Sequence, residues 1–246
     1  MRENPFSKLE GQIREKIFRQ REQPDELLIT CDVQLKLLKV LYRSMLEYDM
    51  REHMQMKSTT DYEEHSYKAT KSVLDYFQFI NVLNQFGRIL EKQGFTIPKF
   101  NRIKFFRNKV SEHWEEYTKY GITGSFHQSF GEAAIPSTST SYKPEERTNI
   151  KKEIDNILEK FGLTLDIENP EVGNIADLNG EIIYSTLEKI DSTLIRKKIN
   201  KYIIPDRLVE LLFQFGFPAP IDKVTEYSNE FVIFLENVLK DRFKRK

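Results

Sequence analysis

Residues 66–92 read SYKATKSVLDYFQFINVLNQFGRILEK. Val73, Tyr76, Phe77, Ile80, Leu83 and Leu90 recur there at three-, four- and seven-residue steps. An α-helix turns about 100° per residue, so this spacing gathers them on or near one face. The stretch predicts a long amphipathic helix. Gly94 lies just beyond it and suits a left-handed C-terminal cap, and Pro98 follows. Gly87 sits inside the pattern and is expected to end or bend the helix early.

The same periodicity extends outward. Pro24, Asp25 and Glu26 open an earlier segment with acidic residues suited to a first helical turn. Leu27, Leu28, Leu35, Leu38, Leu41, Tyr42, Met45 and Leu46 then recur, mostly at three- and four-residue steps. The pattern frays over MREHMQMKSTTDYEEH, residues 50–65. Another helix is expected over about 100–120, ended by Gly121.

Residues 121–146, GITGSFHQSFGEAAIPSTSTSYKPEE, lose the periodicity and read as a loop or linker. Helical spacing resumes with Ile150, Ile154, Ile157, Leu158 and Phe161, and stops at Gly162. Further helices are expected over about 175–201, from Pro205 to Gly216, and over about 221–243. LTLDIENP, residues 163–170, is the best strand candidate, and no hairpin is expected. The fold class is therefore all-α: a helical bundle over 1–120, a linker over 121–146, and a C-terminal helical region over 147–246.

Composition narrows the function. Hydrophobic residues make up 39% and charged residues 31% of the 246, as amphipathic helices with broad solvated faces require. The formal net charge is zero, which argues against a uniformly basic nucleic-acid binder but leaves room for a local basic patch. Cys31 is the single cysteine, so intramolecular disulfides and thiolate-rich metal sites are excluded. Its apolar surroundings predict a core residue, not a nucleophile. There is no apolar run of a signal peptide at the N-terminus and no stretch of about 18 apolar residues, so a cytoplasmic protein without a membrane span is expected.

Candidate chemistry is sparse. His53 and His65, facing each other across a helical hairpin with Glu52, Glu63 and Glu64 beside them, would make a carboxylate–histidine metal site conceivable, but the spacing of a known motif is missing. No cofactor and no metal are expected. His127 falls in the linker. The terminal KDRFKRK is basic, as the negative end of a helix dipole favours.

One stretch remains, FFRNKVSEHWEEY, residues 105–117. On a helix, Ile103, Phe106, Val110, Trp114 and Tyr117 share an apolar face. Arg107 and His113 flank that face, roughly 120° apart and about 9 Å along the axis. An Arg at such an edge can simply lay its stem over apolar surface. The string RNKVSEHW, however, resembles the R-[ND]-K-x-x-x-H form of the signature of the HEPN superfamily (higher-eukaryote and prokaryote nucleotide-binding domains). Arg107, Asn108 and His113 are the matching positions. The resemblance spans about eight residues and concerns only the first 120.

The resemblance implies an all-α bundle that dimerises and brings two copies of the motif together. It implies a metal-independent endoribonuclease of toxin–antitoxin, phage-defence or RNA-processing type, with Arg107, Asn108 and His113 as its catalytic residues. The partners it implies are RNA, a second copy of the chain and a protein such as an antitoxin. The alternative is a non-catalytic helical protein that binds a protein partner or a nucleotide, as inactive members of that superfamily do.

Overall fold

The computed structural model describes residues 4–20, 25–47, 58–108, 124–127, 135–138, 144–160, 162, 189, 208, 211, 219–221 and 223–244. Among them are six helices: α1 (Phe6–Arg19), α2 (Glu26–Met45), α3 (Thr59–Lys92), α4 (Phe100–Phe106), α5 (Pro144–Glu159) and α6 (Val224–Lys244). The fold is an all-α helical bundle, as the periodicity predicts. Two four-residue strands, β1 (Gly124–His127) and β2 (Ile135–Thr138), pair into a ribbon. This ribbon corrects the reading of 121–146 as loop alone. Pro136 disguises it, because a proline argues against a central strand; in a two-stranded ribbon both strands are edges and tolerate it.

The chain forms two compact units. The first comprises Met1–Arg107, His127–Ile135 and Ile221–Lys246; the second comprises Asn108–Phe126 and Pro136–Pro220. In the first unit α1 packs on α2 and α6, α2 on α3, and α3 on α4. Phe6 and Leu9 of α1, Leu35 and Leu38 of α2, Phe79 and Leu83 of α3, and Phe231 and Leu235 of α6 are buried there. Each such side chain contributes about 1.5–3 kcal/mol when fully withdrawn from water. Phe6 meets Tyr42 edge-to-face at 5.9 Å, and Phe86 meets Phe231 edge-to-face at 5.7 Å. Aromatic pairs at these spacings add specificity to the burial.

The helices begin and end for local reasons. The Asp25 side chain accepts from the backbone N–H groups of Leu27 (2.9 Å) and Leu28 (3.3 Å), which caps α2. Ser58 caps α3 by accepting from the Asp61 N–H at 3.1 Å, so this helix starts seven residues before the expected Ser66. Its C-terminus ends as expected: Gly94 takes φ +83°, its N–H reaches the Glu91 carbonyl at 3.0 Å, and the Phe95 N–H reaches the Leu90 carbonyl at 2.9 Å. That pair of bonds is the Schellman arrangement. Gly162 likewise takes φ +69° after α5.

Gly87 corrects an expectation. It neither ends nor bends α3 but lies fully within it. A Cβ there would overlap the Phe100 ring, so the glycine exists to let α4 lie against the α3 backbone.

The last helix, α6, belongs to the first unit. The Tyr76 hydroxyl donates to the Ile221 carbonyl at 2.8 Å and accepts from the Ile221 N–H at 3.2 Å. Tyr42 bonds Thr225 at 3.2 Å, and Lys16 Nζ donates to the Phe243 carbonyl at 3.2 Å. α6 is thus fastened near both ends to α1, α2 and α3. In the second unit Ile154 and Leu158 of α5 are buried, as their stripe predicts, and so are Leu208 and Leu211. Of the helices expected over 175–201 and from Pro205 to Gly216 only residues 189, 208 and 211 are described, and the strand candidate at 163–170 lies outside the described residues.

Candidate functional site

The site builds on α4, a helix of seven residues, FNRIKFF. Its first turn follows Lys99, which adopts the left-handed conformation at φ 56°, ψ 22°. A non-glycine residue there is strained by about 1 kcal/mol or more, and such residues gather at functional positions. The preceding turn is anchored from α6: the Tyr227 hydroxyl donates to the Pro98 carbonyl at 3.1 Å. Burial pushes the Tyr227 phenol far above its ordinary range, with the Glu230 carboxylate adding to the effect, so it stays a donor.

Phe100, Ile103 and Phe106 are buried and dock α4 on α3. Phe106 stacks on Phe77 at 5.8 Å and meets Tyr76 edge-to-face at 6.2 Å. Cations border this apolar face: Lys99, Arg102, Lys104 and Arg107 lie within nine residues that contain no acid. All four are half-buried. Lys104 rests 4.5 Å above the Phe100 ring and pairs with Glu91 at 3.0 Å. This clustering was readable in the string KFNRIKFFR and is the signal that a neutral whole-chain charge obscures.

The motif emerges from that platform. The Arg107 N–H reaches the carbonyls of Ile103 and Lys104, and its backbone remains helical. Arg107 and Asn108 then lie in a wider, π-type turn. Such turns are rare and concentrate at functional sites, because they rotate one side chain out of the helical register. Arg107 and Asn108 are both half-buried, as a stripe-edge Arg should be. Phe106 is buried, as expected. His113, Val110 and Trp114 lie outside the described residues. Arg107 and Asn108 are consecutive in the chain, and Lys104 lies one turn before Arg107. Guanidinium and ammonium groups are the donor types that pair with phosphate oxygens, and here Lys104 donates to Glu91.

The other sequence candidates separate. His65 is buried on α3, whereas Glu63 and Glu64 are exposed and Glu64 pairs with Lys68 at 2.9 Å. His53 and Glu52 lie outside the described residues. Among the described residues no group of His, Cys, Asp and Glu is arranged to hold a metal ion. His127 contributes backbone to β1. Cys31 is buried in the core, and burial pushes its thiol up to about 12, with the positive charge of Arg242 lowering it less. Such a thiol is not a nucleophile. Within KDRFKRK, Arg242 pairs with Asp25, so that part of the basic end is structural.

Among the described residues no helix is long and apolar enough to cross a membrane. No protein-family model, curated protein or solved structure matches the chain.

Proposed function

We propose that this protein is a metal-independent endoribonuclease of HEPN type, acting through Arg107, Asn108 and His113. The supporting observation is the cation-bordered helix α4, which leads into a π-type turn at Arg107 and Asn108, the first two positions of the motif. In this reading the cations along 99–107 attract the RNA backbone by charge. Arg107 binds non-bridging phosphate oxygens and stabilises the charge that develops on them. A neutral His113 accepts the proton of the ribose 2′-OH. The 2′-oxygen attacks the adjacent phosphorus, the bond to the 5′-oxygen breaks, and that oxygen takes a proton from an imidazolium, which a second copy of the motif would supply. The products are a 2′,3′-cyclic phosphate and a 5′-OH. Asn108 orients the imidazole or a phosphate oxygen. Participation in toxin–antitoxin, defence or RNA-processing systems belongs to the same reading.

The test is incubation of the purified protein with a mixed single-stranded RNA pool in EDTA, beside the same sequences as DNA. Cleavage of RNA alone, ending in cyclic phosphate, supports the proposal. Cleavage of both substrates, or of neither, rejects it; retention of RNA without cleavage leaves the non-catalytic binding protein as the better description.

A further inference from the structure

Lys99 is the residue from which α4 starts, and it fits that position badly in three ways. Its φ of 56° and ψ of 22° lie in the left-handed region, where a Cβ is crowded and glycine or asparagine is the ordinary choice. Among the described residues it is the only non-glycine with a positive φ. It makes no side-chain cap bond, whereas a serine, threonine, aspartate or asparagine would satisfy an N–H of the first turn. Its charge also has the wrong sign, because the start of a helix carries positive partial charge and disfavours a cation.

No contact of its own offsets this misfit. Lys104, five residues on, is held by Glu91 at 3.0 Å, but among the described residues no partner reaches the Lys99 ammonium. The backbone is instead held from outside: the Tyr227 hydroxyl bonds the Pro98 carbonyl at 3.1 Å, and the buried Phe100 ring lies over Gly87. The surrounding structure thus fixes Lys99 in a conformation that its side chain disfavours, which is the signature of a functional position. The side chain is half-buried, so its stem lies on the protein while its ammonium reaches water. Lys99 also opens the acid-free run of cations that ends at Arg107.

We infer that Lys99 is a substrate-binding residue whose ammonium holds a backbone phosphate of single-stranded RNA. Eight residues at the helical rise separate it from Arg107 by about 12 Å along the axis. Its phosphate is therefore a neighbour of the scissile one, and Lys99 takes no part in the chemistry. RNA as the ligand rests on the nuclease reading above; the misfit of a lysine at this position does not.

The test is binding of a 2′-O-methyl RNA oligonucleotide, which lacks the nucleophilic hydroxyl and stays intact, to the full chain over a range of salt concentrations. Loss of one phosphate contact to a single strand reduces the slope of log K against log salt by about 0.7, which is about fivefold in affinity at about 0.1 M salt. That loss is expected for Lys99→Gly and for Lys99→Gln. Lys99→Arg should stay close to wild type, and Lys8→Gln, at an exposed lysine of α1, should change nothing. Lys99→Gly is also expected to unfold at a urea concentration no lower than wild type, since glycine accepts the left-handed conformation. Wild-type affinity and slope retained in Lys99→Gly and Lys99→Gln overturn the inference and leave the nuclease reading standing. So does an equal loss in Lys8→Gln, which would make the effect one of general charge, or a lower urea midpoint for Lys99→Gly, which would make the lysine structural. A wild-type chain that binds no RNA overturns both.

Discussion

Arg242, in the last turn of α6, pairs with the same Asp25 carboxylate that caps the first turn of α2. One side chain thus performs two tasks: it satisfies orphan N–H groups at a helix start and fastens the C-terminal helix to the N-terminal bundle. Asp25→Ala removes both, whereas Asp25→Asn keeps an acceptor for the cap and removes the charge. We expect Asp25→Ala to cost about 1–2 kcal/mol, within the range for losing a cap, and Asp25→Asn to cost less. Urea unfolding followed by circular dichroism would measure both. A cost for Asp25→Asn equal to that of Asp25→Ala would mean the cap contributes nothing.

Gly87→Ala should be destabilising although alanine is the better helix former. The added methyl meets the Phe100 ring, and overpacking of this kind costs about 1–3 kcal/mol against the roughly 1 kcal/mol that alanine gains over glycine in a helix. In a Phe100→Ala background the clash disappears, so Gly87→Ala should become neutral or stabilising. Strictly additive effects in that double-mutant cycle would contradict the packing described for α4.

Stability should fall at high pH through Cys31. Its thiol is held up to about 12 in the folded chain, against an ordinary value of 9.0. Above pH 9 the unfolded chain loses this proton while the folded chain keeps it, so the unfolded state binds fewer protons and stability decreases as pH rises. The contribution is complete below pH 9 and is lost progressively towards pH 12. The measurement is the difference in slope between wild type and Cys31→Ala. Identical slopes would show the thiol is not protected. Native Cys31 should also resist alkylation at pH 8 and react once the chain unfolds.

Periodicity made most of the first unit legible. The buried face of α3 and the Schellman end at Gly94 both follow from three- and four-residue spacing and one left-handed glycine. What it did not reveal depends on distant partners. Gly87 reads as a helix breaker until Phe100, thirteen residues on, occupies the missing Cβ. The docking of α6 rests on Tyr76 meeting Ile221 across 145 residues, and no local pattern encodes such a contact. α1 is short and heavily charged, so its three core residues, Phe6, Leu9 and Ile13, give a weak signal beside Lys8, Arg14, Glu15 and Lys16. The ribbon is hidden by Pro136 and by small polar residues. Of the candidate site, the half-buried position of Arg107 was legible from the apolar stripe, whereas the π-type turn at Arg107 and Asn108 was not.

In the proposed reaction His113 and Arg107 carry the chemistry of RNA cleavage. The most direct measurement is the cleavage rate of one single-stranded RNA, in EDTA, by wild type, His113→Ala and Arg107→Ala proteins whose circular dichroism spectra coincide. His113→Ala is expected to abolish cleavage, Arg107→Ala to lower the rate by about 10²–10³, the usual loss for one transition-state charge donor, and wild-type products to end in 2′,3′-cyclic phosphate. Wild-type cleavage that persists undiminished in His113→Ala would contradict it.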